Sequence, residues 1–345
     1  MKNRTRLTAK DVAKEAGVST ATVSRALSRH MDVNETTRSH VFEVAKRLGY
    51  RGNQAAANLR TGRSKILLVL VSEITNAFFA DFFKGVDEEA RSSGYLVLIG
   101  DTSEDTENER AYSDMLLINQ ADGLILNTDR FPVDLWPSAD SDGYGGPPLV
   151  SCAGYSDMDV PEVRIDDVYG GQMAGEHLVA LRHTDIIQVC GSLKVRNFER
   201  RYNGFRNALK SAGVKVDDSR NYEGELSTDF GLQVAEKIAA DPVRPTAVFV
   251  HNDETAIGVL HGLANAGIRV PEDISIVGYD DMPYAAVFNP GLTTVALPRR
   301  EWGRLACRRL IAVLHDGDAA DTSHTTIITP EFIARSSSGP APKRS

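Results

Sequence analysis

Two groups of residues in this 345-residue chain have types and spacings suited to recognition chemistry. The first is Thr20-Ala21-Thr22, with Ser24 and Arg25 one turn further on. An arginine can donate two parallel hydrogen bonds to guanine, and an alanine or a threonine methyl can lie against the thymine methyl. Thr8 and Ser19, each at the start of a helical pattern, join them as candidate DNA contacts. The second group is polar and follows apolar runs: Asn76, Asp101, Asn127, Asn252, Asp253 and Asp280. In open α/β sheets, ligands sit beyond the carboxyl ends of the strands, where such residues fall.

Other chemistry is not expected. There is no G-x-x-x-x-G-K-S/T phosphate loop and no G-x-S-x-G elbow. Gly143-Tyr144-Gly145-Gly146 is too short for a dinucleotide fingerprint, and the eight histidines, His177 and His183 among them, show no metal spacing. Asp280-Asp281 are neighbours in sequence, which does not make them an acid/base pair in space. No catalytic residue, metal or cofactor is therefore expected. Cys152, Cys190 and Cys307 lie far apart and read as buried thiols of a cytosolic protein. No apolar run approaches the roughly 18 residues of a membrane helix, and no apolar stretch follows Met1-Lys2-Asn3-Arg4-Thr5-Arg6. The expected location is cytoplasmic, with no membrane partner.

The elements that must position the first group are short helices. Thr8 with Asp11 fits a helix start, and Val12, Ala13 and Ala16 recur at helical spacing. Gly17 permits a sharp turn, and Ser19 can cap a second helix bearing Val23, Ala26 and Leu27. Two helices, Thr8 to Ala16 and Thr20 to Leu27, joined by about three residues make a helix-turn-helix. Asn34 can cap a third helix that Gly49 ends. Charge supports the reading. Residues 1–65 hold 14 Lys+Arg against 5 Asp+Glu, whereas the rest of the chain holds 25 against 42. A basic head on an acidic body suggests that only the head meets a polyanion.

The second group belongs to a βα alternation. Strands are expected over Ile66–Val71, Leu96–Ile99, Gly123–Leu126, Leu149–Cys152, Ile186–Val189, Thr246–Val250 and Ile274–Val277. Helices are expected over Phe78–Ser93, Glu107–Asn119, from Gly170-Gly171 to Leu181, and over Arg201–Ala212, Asp229–Ala240 and Asp253–Ala266. Such repetition predicts parallel sheets with helices on both faces, divided into two lobes.

Leu7 through Leu27, continued by Arg38, Val41, Ala45, Leu48, Gly49 and Tyr50, resembles the DNA-binding headpiece of the LacI/GalR family of bacterial transcription regulators. The body resembles that family's effector domain, related to periplasmic sugar-binding proteins. It does so through Asn76-Ala77-Phe78-Phe79, Asp166-Asp167 with Gly170-Gly171, Asn252-Asp253, Gly278-Tyr279-Asp280-Asp281 and Leu292-Thr293-Thr294-Val295. The implied fold is an all-α helix-turn-helix headpiece plus a bilobal periplasmic-binding-protein-like α/β domain with two parallel-sheet subdomains. The implied domains are a headpiece at 1–50, a hinge at 51–63 and an effector domain at 64–340. The first subdomain would take about 64–164 and 294–325, the second about 165–293 and 326–340.

The resemblance also implies a hinge helix in which Asn53 contacts DNA and Leu59 wedges into a base step. Gly52 replaces the usual proline and Ala57 a common arginine. In the cleft it implies effector contacts at Phe78, Phe79, Asn197, Arg201, Leu226, Asn252 and Asp280, with Cys152 where many members have aspartate. The expected function is an effector-responsive regulator, most often a repressor, acting as a homodimer. It would bind a pseudo-palindromic operator and a sugar, polyol or nucleoside-like effector. The competing readings are a solute-binding transport protein of the same body fold and an α/β enzyme.

Overall fold

The computed structural model describes residues 7–27, 33–50, 63–103, 105–118, 120–128, 148–153, 160–316 and 325–343. The chain divides after Ser64 into two compact units. Asn53 and Leu59, with nearly all of the expected hinge, lie outside the described residues.

The first unit contains α1 (Ala9–Ala16), α2 (Thr20–Leu27) and α3 (Glu35–Leu48). Asp11 accepts hydrogen bonds from the Thr8 backbone N–H and hydroxyl, both at 2.8 Å, which fixes the start of α1 and lowers the Asp11 pKa. Gly17 ends α1 at φ +65° and Gly49 ends α3 at φ +70°, where a side chain would be strained. Asn34 Oδ1 accepts from Thr37 N–H at 2.8 Å and caps α3. Val12, Ala13, Ala16, Val23, Ala26, Val41, Val44 and Ala45 are buried together with Val33, so one small core holds three helices.

The second unit is a pair of α/β lobes. The first sheet runs β11 (Thr325–Ile328), β5 (Glu162–Ile165), β4 (Leu149–Ser151), β3 (Gly123–Asn127), β1 (Ile66–Val71), β2 (Leu96–Asp101), with every pairing parallel. The second runs β12 (Glu331–Ile333), β10 (Thr293–Ala296), β9 (Ser275–Asp280), β8 (Ala247–Val250), β6 (Ile186–Cys190), β7 (Tyr222–Glu223); only β12 pairs antiparallel. The helices are α4 (Phe79–Ser92), α5 (Thr106–Leu117), α6 (Asp167–Ala180), α7 (Arg196–Ser211), α8 (Thr228–Ala240), α9 (Asp253–Asn265) and α10 (Arg299–Asp316). Among the described residues no helix is long and apolar enough to cross a membrane.

Several expectations shift. The switches between lobes expected at 293/294 and 325/326 fall inside strands. All of β10 pairs in the second sheet and all of β11 in the first, so the switches follow Ala296 and Ile328. The helix expected after Gly170-Gly171 begins at Asp167, with both glycines inside it. They are there for close approach: a Cβ on Gly171 would meet Arg201 O at only 2.1 Å, so α6 and α7 pack backbone to backbone. Similarly, α7 begins at Arg196 rather than Arg201, capped by no side chain.

Candidate functional site

In the helix-turn-helix, Thr20, Ala21 and Arg25 are exposed on α2, and Thr22 and Ser24 are half-buried. Ser19 Oγ accepts from Thr22 N–H at 3.0 Å and lies 2.9 Å from Thr22 Oγ1. Ser19 and Thr22 therefore fix the start of α2, while Thr20, Ala21 and Arg25 face outward with no such engagement. Thr8 is likewise exposed at the start of α1. The apolar side of α2, Val23 and Ala26, is fully buried, which holds the opposite side at the surface.

Between the lobes of the second unit lies a cavity of about 1280 Å³. Phe78, Phe79, Asn197, Arg201, Leu226, Asn252 and Asp280 all border it, as does Cys152. The volume exceeds the usual 300–1,000 Å³ of a ligand pocket, as suits a cleft still open to solvent.

Lobe one supplies an aromatic wall. Phe78 and Phe79 meet edge to face, with centroids 5.2 Å apart, and Phe78 packs against Trp302 at 6.2 Å. Trp302, on α10, is anchored by donating from Nε1 to Val163 O at 2.7 Å. Asn127, at the carboxyl end of β3, has a buried Nδ2 with no partner among the described residues. Burial and the nearby Glu162 push the Cys152 thiol up, so this wall carries a neutral group there.

Lobe two supplies the charged side. Arg201 donates to Asp167 Oδ1 from Nη2 at 2.8 Å and from Nε at 3.2 Å, and its Nη1 donates to His251 O. Both side chains of this ion pair are buried. Most of Arg201's donors are thus used within the protein, and these bonds shape the floor of the cavity. Asn252 Oδ1 caps α9 by accepting from Thr255 N–H at 2.9 Å, and Asn197 Oδ1 accepts from Phe198 N–H at 3.0 Å. Their amide nitrogens remain for other partners.

Asp280 ends β9 at a backbone φ of +111°, followed by Asp281 at +51°. It is buried and borders the cavity, and its carbonyl accepts from Arg299 Nη1. Desolvation raises its pKa well above the ordinary carboxylate range, opposed by the Arg201 and Arg299 charges.

The candidate residues chosen from sequence did not include Asp167, Phe198 or Trp302, all of which border the cavity. Asp167 was visible only as half of the Asp166-Asp167 pair. Trp302 belongs to α10, a helix whose apolar period is obscured by Arg300, Glu301, Arg304, Arg308 and Arg309. Among the described residues no cluster of His, Cys, Asp and Glu is placed to hold a metal.

Comparison with known proteins agrees with both units. Residues 8–53 match the model of bacterial regulatory proteins of the lacI family, and residues 176–338 that of a periplasmic binding protein-like domain. The chain is 34% identical over 311 residues to the HTH-type transcriptional repressor CytR of Escherichia coli (strain K12), covering 90% of each. Its fold matches the Lac repressor dimer bound to operator and the anti-inducer ONPF with a TM-score of 0.86 and 25% identity, over 97% of this chain and all of that one. It also matches a transcriptional regulator CelR–cellobiose complex with a TM-score of 0.71 and 26% identity, over 96% of this chain and 100% of that one. These relatives are transcription regulators rather than enzymes. With a helix-turn-helix that exposes its second helix and a two-lobed body around a cleft, the chain belongs to the LacI family of DNA-binding transcriptional regulators.

Proposed function

We propose that the chain is an effector-responsive repressor. It binds a pseudo-palindromic operator as a homodimer and takes an uncharged, hydroxyl-bearing small molecule, sugar- or nucleoside-like, in the interlobe cleft. The observation that carries the reading is a cavity between the lobes bordered by Asp280 and Asn252 on one side and by the Phe78 aromatic wall on the other. A carboxylate accepts from hydroxyls, and Phe78 suits the apolar face of a sugar or a base. Glu73, Glu223, Glu225 and Glu254 also border the cavity against Lys194 and Arg201, so an anionic ligand would be repelled.

The homodimer is supported by the related Lac repressor dimer and by the edge of the first sheet. Leu96 is 67% exposed and Leu98 37% on β2, which among the described residues is an edge strand, a surface that isolated proteins normally blunt with charge. A two-fold dimer presents two copies of α2 about 34 Å apart, one helical turn of DNA. Ligand shifts DNA binding only through different affinity for the two lobe arrangements.

The test is selection of duplexes from a random pool, followed by gel shifts at rising salt, with and without compounds that raise the melting temperature. Pseudo-palindromic sites, a steep salt dependence and a ligand-dependent affinity are expected. Binding that is indifferent to sequence, or unchanged by every stabilising compound, sinks the reading.

A further inference from the structure

Arg299 opens α10 against the first lobe yet reaches the ligand-facing turn of the second. Its Nη1 donates to the Asp280 carbonyl at 2.5 Å and lies 3.4 Å from Met282 Sδ. Its Nη2 donates to the Asp281 carbonyl at 3.4 Å and to Asp81 Oδ2, in the first turn of α4, at 3.3 Å. The guanidinium carbon stands 5.7 Å from the centre of the Phe78 ring. Arg299 is buried, its Nε has no partner among the described residues, and Asp81 is largely exposed. A guanidinium placed so is poorly compensated as an ion pair. What it does well is hold two backbone carbonyls of a turn whose residues both sit at positive φ, a conformation that persists only when its surroundings impose it. Arg335 ties the same turn to the Leu292 carbonyl, donating to Asp281 Oδ1 at 2.7 Å and to Leu292 O at 2.8 Å.

We propose that Arg299 is the positioning residue for Asp280, holding the 280–281 turn so that its carboxylate faces the cleft and tying that turn to Asp81 and Phe78 of the opposite lobe. This rests on the reading of the cleft as an effector site and adds a mechanical link to it. A ligand that draws on Asp280 loads Arg299, and Arg299 loads the start of α4. The connection is short and physical: one side chain spans the lobes.

Hydrogen–deuterium exchange on the full chain tests this with no ligand needed. Met282 N–H donates to Asp253 Oδ2 at 2.8 Å, and Phe79 and Ala80 N–H donate to Asn76 and Ala77 carbonyls at 3.2 Å, so both ends of the link have protected amides to report. Arg299→Met is expected to speed exchange at 280–282 and at 79–83 together by at least tenfold while sparing β6 and β8. Arg299→Lys, with a charge but no fork, is expected to lie between. Asp81→Asn should loosen only 79–83. Exchange that rises throughout both lobes would reduce Arg299 to a general packing residue, and exchange that stays unchanged, or rises only at 280–282, would refute the link. A second arm measures melting shifts with ribose, cellobiose, cytidine and adenosine at millimolar concentration. Any compound that stabilises the unmodified chain should bind Arg299→Met at least tenfold more weakly, with Arg299→Lys partly rescued; equal binding overturns the positioning role. If none stabilises the unmodified chain, the effector reading loses those ligands while the exchange data still decide the fate of Arg299.

Discussion

The guanidinium of Arg201 lies 3.4 Å from the centre of the Tyr279 ring, and the Tyr279 hydroxyl donates at 2.9 Å to the Asp167 oxygen that Arg201 itself engages. The three side chains come from α7, β9 and α6, so one buried polar knot fixes the floor of the cleft. Burial and the adjacent Asp167 carboxylate drive the Tyr279 pKa well above its usual value, which keeps it a phenol able to donate. Arg201→Met removes the cation and leaves Asp167 a buried charge with only the phenol as donor. The expected loss of stability is about 3–5 kcal/mol, the usual cost of breaking a buried pair. Urea unfolding of the full chain measures it; a loss below about 1 kcal/mol, the range of an exposed pair, would mean that water reaches the knot.

Asp253 and Asp280 set a pH dependence. Burial pushes Asp253 up to about 7 despite hydrogen bonds from Thr294 Oγ1 at 2.7 Å and Met282 N–H at 2.8 Å, and it pushes Asp280 up as well. The folded chain therefore keeps protons that the unfolded chain releases near pH 4. The stability these groups contribute is full below that pH and falls as pH rises, for Asp253 until about 7. Denaturation midpoints from pH 5 to 8 should decline. Asp253→Asn, which cannot titrate, should flatten much of that slope. An unaltered slope in Asp253→Asn would assign the pH dependence to other groups.

Close helix contacts make glycines as sensitive as polar groups. A Cβ on Gly171 would lie 2.1 Å from Arg201 O, and one on Gly204 would lie 2.0 Å from Val168 O. The obstacle is backbone in both cases, so α6 and α7 must part. Gly171→Ala is expected to cost about 1–3 kcal/mol, in the range of overpacked cores, and to displace Arg201 from Asp167. Calorimetric melting together with ligand affinity checks it, since a change at Gly171 should reduce both. Melting identical to the parent would mean that the helices separate at no cost.

The parts of this structure legible in the sequence were those whose local signals agree with their burial. α1 and α2 carried a cap, a period and a stop glycine within twenty-one residues, and β1 an unbroken apolar run. β5 was not legible because Glu162-Val163-Arg164-Ile165 alternates polar and apolar residues over only four positions. α10 was hidden by surface arginines, several paired to Glu88 and Glu89 of α4, although its inner face contributes Trp302, Ala306, Cys307 and Leu310 to the main core. The candidate contacts of the cleft followed the ends of strands, so Asp280 and Asn252 could be named. Arg299 opens a helix packed on the other lobe, and nothing in the spacing between 280 and 299 reports that its guanidinium reaches the Asp280 carbonyl.

Arg25 offers the sharpest test of the DNA face. It lies in the last turn of α2, exposed, on the side opposite Val23 and Ala26. Two roles are distinguishable. A base reader loses about 1–3 kcal/mol at the cognate site when truncated and relaxes preference at one position. A phosphate contact instead weakens binding to all sequences alike and lowers the salt slope by about one. Gel shifts of Arg25→Ala against the selected operator, its single-base variants and a random duplex, each at several salt concentrations, separate the two. Ser19 and Thr22 are engaged with each other at the helix start, which leaves Thr20, Ala21 and Arg25 as the outward-facing set. Unchanged affinity, preference and salt slope together would remove Arg25 from the DNA-binding surface and move the specificity to Thr20 and Ala21 alone.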